Sequence, residues 1–351
     1  NLEGIGLKDY PFGIIASGSL LQYLHETQKT SLAHLMELIP YSTQNYMVLD
    51  SSTRRNLELC ETMREKSKKG SLLWVLDKTK TAMGARMLRK MVEQPLIHKQ
   101  AIMDRLDAVE MLKENVMARE ELREYMNSIY DLERLTMKVS YRSANPRDLI
   151  AFKTSIQYLP YIKDILGQFS RGVLADMGGE LDTLEDLYAL LEAAIEEDPP
   201  LSIKEGGILK AGYDEEVDHL KKAKTEGKTW LAELEERERE KTGIKNLRVR
   251  YNKVFGYYIE VTNSYKNLVP EYYIRRQTLA NAERYTTEEL LELARTILGA
   301  EEKLYALEYE RYVEIRELLA AQMERIQKTA HCIARVDAFA SLAVVAEQNG
   351  Y

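Results

Sequence analysis

The sequence contains few residues that interrupt helices. Only 18 glycines and 8 prolines occur among its 351 residues, whereas 30% of the residues are charged and 45% are hydrophobic. Glycine and proline are the residues that helices tolerate least, so their scarcity favours long helices. The hydrophobic fraction is ordinary for a protein with a buried core and excludes disorder throughout. We therefore expect a mostly α fold.

Cysteine and paired histidine are also scarce. The two cysteines, Cys60 and Cys332, lie far apart and match no metal-binding spacing. Two free thiols in a reducing cytoplasm are therefore favoured over a disulfide or a metal site. No two histidines have the i, i+4 spacing of a helical zinc pair; they are His25, His34, His98, His219 and His331. We expect no bound metal.

Long hydrophobic runs are absent from the early part of the chain. The most apolar stretch there, residues 12–24, is short, contains Gly13 and Gly18, and lacks a basic leader with a cleavage site. It is neither a signal peptide nor a membrane span, so we expect a cytoplasmic protein without a membrane partner. The chain starts at Asn1 instead of methionine and stops at Tyr351 after a helical pattern. We interpret it as a piece of a longer protein.

Amphipathic segments separated by short breaks dominate residues 32–191, as expected of a helical bundle. The clearest boundary is Asn145-Pro146, where Asn145 is a candidate N-cap and Pro146 suits the first turn. A charged helix is predicted over residues 213–241, ending at Gly243. Another very long helix, which can contain a kink, is predicted over residues 283–347, where the only glycine is Gly299.

Between these two helices the hydrophobic period changes to two, which predicts a small inserted sheet. Residues 247–252 and 257–262 alternate apolar with polar side chains and form a predicted hairpin, and residues 272–276 a possible third strand. Alternation places Arg248, Arg250 and Asn252 on one face, with apolar residues behind them.

The charge of this segment departs from that of the chain. The formal net charge is −7, which argues against a broadly basic surface. Residues 244–284 nevertheless contain eight basic and three acidic residues, a local charge of 8 − 3 = +5. A sheet with arginines on one face can contact nucleic-acid phosphates. An ordinary polar sheet face remains the alternative on composition alone.

Catalytic signals are weak. Gly227-Lys228-Thr229 imitates the end of a phosphate-binding loop, but the earlier glycine of that motif would fall at Lys222 and the surroundings are helical. Acidic runs at residues 196–198 and 235–236 are typical of solvated helix faces. The alternative to nucleic-acid binding comes from another functional class: a helical structural or partner-docking module without DNA binding. An all-helical enzyme would need a convergent catalytic set that we do not find.

Seven stretches nevertheless resemble MutS-type DNA mismatch repair proteins. The core-domain signatures, in the family's order, are LDSSTRRNLEL (49–59), LDKTKTAMGARMLRKMVEQPL (76–96), RLDAVE (105–110), DLERL (131–135) and NPRDL (145–149). The clamp and lever signatures are FGYYIEV (255–261) and YIRRQTLANAERY (273–285). The resemblance covers nearly the whole chain.

The resemblance implies a fold, a set of domains and a group of partners. The fold would be a helical bundle core with very long lever helices and a small inserted β-sheet clamp. Residues 1–30 would end the connector domain, 31–219 form the core and first lever, 220–282 the clamp, and 283–351 the returning lever. It also implies a homodimer that holds double-stranded DNA mainly by its phosphate backbone, with a MutL-type repair partner. ATP and Mg²⁺ would belong to an ATPase domain outside this chain, so no cofactor is expected here.

The resemblance also implies which residues of this chain face DNA, position by position. Arg275, Arg276 and Asn281 match the family's clamp segment, and the basic hairpin contributes Lys245, Arg248, Arg250, Asn252 and Lys253. Ala280 departs from the pattern, because many relatives have a lysine there. A phosphate contact at that position is therefore lost, and the grip is expected to depend more on neighbouring residues.

We expect the chain not to hydrolyse ATP, because its sequence offers no amide cradle for phosphate. Phosphate release should be measured with Mg²⁺ and duplex DNA, using Lys228→Ala as the control. Turnover above the buffer background that disappears in the Lys228→Ala variant would contradict the expectation.

Overall fold

The computed structural model describes residues 11–27, 45–252, 254 and 256–351. The chain divides into two compact units, Asn1–Glu192 with Ile315–Tyr351, and Ala193–Glu314. The second unit is therefore an insertion, in chain order, between two parts of the first. Most of the described residues are helical and one small sheet is present, which confirms the expected fold class.

Eleven α-helices come first in the described chain: α1 Pro11–Thr27, α2 Ser51–Asn56, α3 Leu72–Leu76, α4 Ala82–Glu93, α5 Lys99–Glu114, α6 Val116–Asn127, α7 Leu132–Ser140, α8 Pro146–Ile156, α9 Leu159–Leu166, α10 Gly172–Glu180 and α11 Glu185–Ala194. Three longer helices follow: α12 Glu215–Thr242, α13 Glu288–Ala321 and α14 Met323–Asn349.

Side chains that accept from backbone amides set many of these helix starts. The predicted N-cap Asn145 is confirmed: its Oδ1 accepts from the amide of Asp148 at 2.9 Å, and Asp148 accepts from the amide of Asn145 at 3.0 Å. This reciprocal capping box, with Pro146 in the first turn, satisfies two amides that the helix itself leaves unpaired. At the other end of a helix, Gly243 adopts φ +69° and ends α12 as predicted.

Helix α14 is the centre of the first unit and packs against α3, α4, α5, α6 and α7. It is long and apolar enough to cross a membrane, but 72% of its most apolar window is buried inside the protein. Such burial is typical of a core helix. Cys332 on this helix and Cys60 are both free, which confirms the predicted thiols.

A buried carboxylate joins α14 to the start of α4. Asp337, which is fully buried, accepts from the amides of Lys80 at 2.9 Å and Thr81 at 2.7 Å and from the Thr81 hydroxyl at 2.8 Å. Thr81 in turn caps α4 by accepting from the amide of Gly84. Burial raises the pKa of Asp337 above its ordinary value, while the hydrogen bonds from Lys80 and Thr81 oppose that shift.

Unit two consists of α12, the sheet and most of α13. Its strands are β1 Arg248–Asn252, β2 Gly256–Thr262, β3 Ile274–Thr278 and β4 Ala282–Thr286. The 28 residues of α12 span about 42 Å at 1.5 Å per residue, which is long for a globular protein.

The final helix differs from the sequence-based expectation in where it begins and in its continuity. The final helix does not begin at Glu283, because residues 282–286 form a fourth strand that pairs with β2 and β3. It is also two helices, separated at Gln322, whose backbone leaves the helical region at ψ +15°.

Gly84 provides a test of the Asp337 junction. A Cβ on Gly84 would lie 2.1 Å from Asp337 Oδ2, closer than any real contact. Gly84→Ala should therefore destabilise the chain by about 1–3 kcal/mol, although glycine-to-alanine changes inside helices usually stabilise. Gly179→Ala in α10 is the matched control, because nothing lies within 4 Å of its Cβ position. Urea unfolding should separate the two, and equal midpoints would contradict the proposed packing.

Candidate nucleic-acid interface

The four strands form one antiparallel sheet in the order β1-β2-β4-β3. One face packs on the helices of the unit through Ile259, Val261 and Tyr285, which join a buried cluster with Leu234 of α12 and Leu290 of α13. The predicted hairpin of β1 and β2 is confirmed. Arginines therefore sit on a sheet whose other face covers an apolar core.

Register places Arg248, Arg250 and Asn252 on the face away from that core, as the alternation predicted. Arg250 pairs with Glu260 at 3.4 Å, and Arg284 approaches the same carboxylate at 3.8 Å. Arg284 also stacks over the Tyr258 ring at 4.4 Å. The positive charge on this face is thus partly neutralised by Glu260.

β1 is an edge strand, and α12 covers part of its edge. Glu235 of α12 accepts from the amide of Val249 at 2.8 Å and from the Arg248 guanidinium at 3.2 Å. Edge amides without partners are a hazard in sheets, so this carboxylate removes one of them. It also ties Arg248 to the helix.

Arg275 lies on the other face of the sheet. It pairs in register with Tyr285, and a bulge at Arg276 shifts the ladder before Gln277 meets Arg284. The sequence resemblance grouped Arg275 with Arg248 and Arg250, but the structure does not bring them onto one surface. They occupy opposite edges of the sheet, which are about 14 Å apart for three strand spacings.

Different candidate DNA-contacting residues lie at the two ends of the sheet. Asn252 pairs with Gly256 at the β1–β2 turn, whereas Asn281 lies in the β3–β4 turn beside Asn263, which donates to the Ala280 carbonyl at 3.0 Å. These ends are about 20 Å apart along β2. Lys253, also proposed for DNA contact, lies outside the described residues.

Glu283 is a buried carboxylate that organises cations at the Asn281 end. It pairs with Lys266 at 2.8 Å and with Arg275 at 3.8 Å, and it accepts from the Tyr285 hydroxyl. The hydrogen bond from Lys266 is the main reason that its pKa lies below the ordinary value. Lys266 is one of the basic residues of this segment, but the sequence did not indicate it as a DNA contact. Its nearness to Arg275 depends on β4, which the sequence did not predict.

Two cations of this region remain uncompensated. Lys245 and Arg276 are exposed and have no ion-pair or hydrogen-bond partner among the described residues. An exposed cation without an intramolecular partner can bind an external phosphate without first breaking a contact. Arg276, at the bulge, is the better placed of the two because it follows Arg275 directly.

A second buried carboxylate anchors the β3 end of the sheet to α12. Glu238 accepts from the hydroxyls of Tyr272 and Tyr273, each at 2.9 Å. Partial burial and the hydrogen bond to Glu238 raise the pKa of Tyr272 to about 12. Both tyrosine hydroxyls therefore remain donors at neutral pH.

The phosphate-binding loop that the sequence imitates does not form. Gly227-Lys228-Thr229 lies inside α12, where Gly227 packs against Ile297 of α13 so closely that a Cβ would lie 2.5 Å from its side chain. The helical interpretation of this motif is confirmed. Within the described ranges, no group of three or more histidine, cysteine, aspartate or glutamate side chains could hold a metal ion.

Comparison with known proteins matches residues 52–343 to the family described as MutS domain III. The chain belongs to that family. It is 62% identical over its full length to the DNA mismatch repair protein MutS of Lachnoclostridium phytofermentans, of which it covers 38%. It is 56% identical over 99% of its length to the MutS of Ruminiclostridium cellulolyticum, covering 40% of that protein. The MutS domain III chain thus spans about two fifths of these relatives.

In this MutS domain III chain, the anchoring of the sheet by Glu238 can be tested with two matched substitutions. Tyr273→Phe removes a buried donor to a buried carboxylate and should cost about 1.5–3 kcal/mol. Tyr272→Phe should lower the free energy of unfolding by less, because Tyr272 is 52% exposed and water can replace the lost donor. Chemical unfolding followed by circular dichroism measures both. Equal destabilisation would show that the buried hydroxyl is not the stronger anchor.

Proposed function

We propose that this chain is the core, lever and clamp region of a MutS-type mismatch repair protein and that its sheet holds duplex DNA by the phosphate backbone. Family membership and relatives named as DNA mismatch repair proteins support the first part. The observation that carries the second is that Lys245, just before β1, and Arg276, in β3, are exposed and uncompensated, whereas the other arginines of the sheet are partly neutralised.

The geometry favours contacts with phosphates over contacts with bases. Phosphates recur along the duplex whatever its sequence, so a surface that only holds DNA needs cations and amide donors spread over its edges. Arg276 at the β3 edge, Lys245 before β1 and Asn281 in the β3–β4 turn have that distribution. Arg275 and Lys266 can join them, because Glu283 neutralises only one of their two charges.

The remaining proposed contacts are weaker. Arg248 and Arg250 are each about 60% exposed but already paired, with Glu235 and Glu260. Exposed ion pairs contribute little energy and can open, so these arginines are secondary contacts. Asn252 lies at the other end of the sheet and would contact DNA only if the duplex passed along its full length.

The wider assignments are part of the same proposal. Residues 1–30 would end a connector domain, 31–219 form the core and first lever, 220–282 the clamp and 283–351 the returning lever. The full protein would be a cytoplasmic homodimer with a MutL-type partner, and its ATPase domain would bind ATP and Mg²⁺ outside this chain. A helical structural or partner-docking module is the alternative.

We expect weak binding to duplex DNA that is indifferent to mismatches. Fluorescence anisotropy at several salt concentrations should give a log–log slope near −3 if about three phosphates are neutralised, with a dissociation constant of about 10⁻⁴ to 10⁻⁶ M at physiological salt. Arg275→Glu with Arg276→Glu should weaken binding to every duplex alike. Arg276→Ala should weaken it more than Arg248→Ala, because only Arg276 lacks a partner among the described residues.

Charge reversal at Lys303, which is exposed on α13, is the matched control for net charge. If Lys303→Glu weakens binding as much as Arg276→Glu, the attraction is general and not local to the sheet. Unchanged binding in the Arg275/Arg276 variant would favour the structural-module alternative. A strong preference for mismatched duplex would contradict a surface that only holds the backbone.

A further inference from the structure

A cationic cavity lies in the first unit, far in sequence from the sheet. Its polar lining consists of Tyr46, Lys90, Gln94, Arg105, His331 and Arg335. The lining includes three permanent cations and no carboxylate. Four separate parts of the chain supply these groups: the segment before α2, α4 with its C-cap, α5 and α14.

Within the part of the chain that the structure describes, the cations of this cavity have no neutralising partner. Lys90, Arg105 and Arg335 have no ion pair or side-chain hydrogen bond among the described residues. Elsewhere in the same unit, partly buried arginines are paired: Arg119 meets Glu347 at 2.6 Å, and Arg325 meets Asp182 at 2.7 Å. Arg105 and Arg335 are part-buried like those arginines, yet they face each other's charge.

Like charges that converge in a partly buried space repel one another, and burial disfavours each charged form. Burial and the nearby charge of Arg335 both lower the pKa of Arg105. Burial, Arg335 and Lys90 lower the pKa of His331 in the same way, opposed by Glu133, which Arg86 holds at 2.6 Å. An anion in the cavity would relieve all of these effects.

We propose that this cavity binds a compact tetrahedral oxyanion of the phosphate or sulfate type. The guanidinium groups of Arg105 and Arg335 offer planar pairs of donors that suit such an anion, Lys90 adds a point charge, and Tyr46 and Gln94 supply neutral donors. The cavity is about half open to solvent, and its volume of about 140 Å³ equals that of four or five water molecules. It accommodates a single oxyanion with water but is smaller than the pockets that hold drug-sized ligands.

Isothermal titration of the full chain with sulfate, in chloride buffer at constant ionic strength, tests this proposal. We expect one site, with affinity reduced about tenfold or more in Arg105→Gln and in Arg335→Gln. Arg64→Gln, which alters an exposed arginine outside the cavity, is the matched control and should bind as the parent does. Absence of a sulfate site in the parent, or equal affinity in all four proteins, overturns the proposal.

Folding must be distinguished from binding in these variants. In sulfate-free buffer, Arg335→Gln should melt at the same temperature as the parent or higher, because it removes a repelling charge. Arg335→Lys, which keeps the charge but loses the planar donors, should bind sulfate with intermediate affinity. A lower melting temperature in Arg335→Gln together with full binding by Arg335→Lys would contradict the role given to the guanidinium group.

Two further measurements, anion competition and pH dependence, identify the class of ligand. Phosphate should compete with sulfate, whereas acetate should not, and acetate binding as tight as sulfate would overturn the assignment to a tetrahedral anion. Sulfate does not titrate near neutrality, and the pKa of His331 lies below the ordinary value of about 6.5, so the affinity should rise only as the pH falls well below that value and His331 gains a proton. His331→Gln should therefore remove the pH dependence.

Discussion

The fold depends on the hydrogen bonds that tie α14 back to the loop before α4, across more than 250 residues of sequence. Asp337 accepts from two consecutive amides and a threonine hydroxyl there, and Ser341 on the next turn of α14 donates to the Leu76 carbonyl and accepts from the Lys78 amide. A buried carboxylate is costly unless it is fully hydrogen-bonded, so this loop must be in place before α14 can bury Asp337. Because the second unit interrupts the first in chain order, these contacts define where the returning helix must dock.

Carboxylates perform a related task in the second unit, where Glu238 and Glu283 are buried and Glu235 is half-buried. Glu235 occupies an edge amide of β1, Glu238 receives two tyrosine hydroxyls from the start of β3, and Glu283 collects Lys266 and Arg275. Each one fixes a strand or a cation, and Glu235 and Glu283 also neutralise positive charge. The basic character of this segment is consequently smaller in three dimensions than its composition suggests, and it is concentrated at the few cations that these acids do not reach.

Local patterns in the sequence predicted the β1–β2 hairpin, the shared face of Arg248 and Arg250, the capped start of α8 and the end of α12 at Gly243. Each depends on residues a few positions apart. The fourth strand was missed because residues 282–286 also fit a helical pattern, and pairing with β2 decides between the two. The face of Arg275 was not predicted, because it follows from the pairing of β3 with β4, and β4 was missed. Neither ion pairs such as Arg248–Glu235 nor the cavity around Arg335 can be read from spacing, since their members are distant in sequence.

The order in which the chain is synthesised gives the interrupted first unit a kinetic consequence. Ala193–Glu314 comprises 122 residues, so at about 5–20 residues per second the ribosome needs roughly 6–24 seconds to translate the insertion. Throughout that interval α14, which in the folded chain accepts from the amides of Lys80 and Thr81, has not yet been synthesised. The first unit can mature only after synthesis has passed the second, and until then its exposed apolar surface is a site where chaperones or misfolding can act.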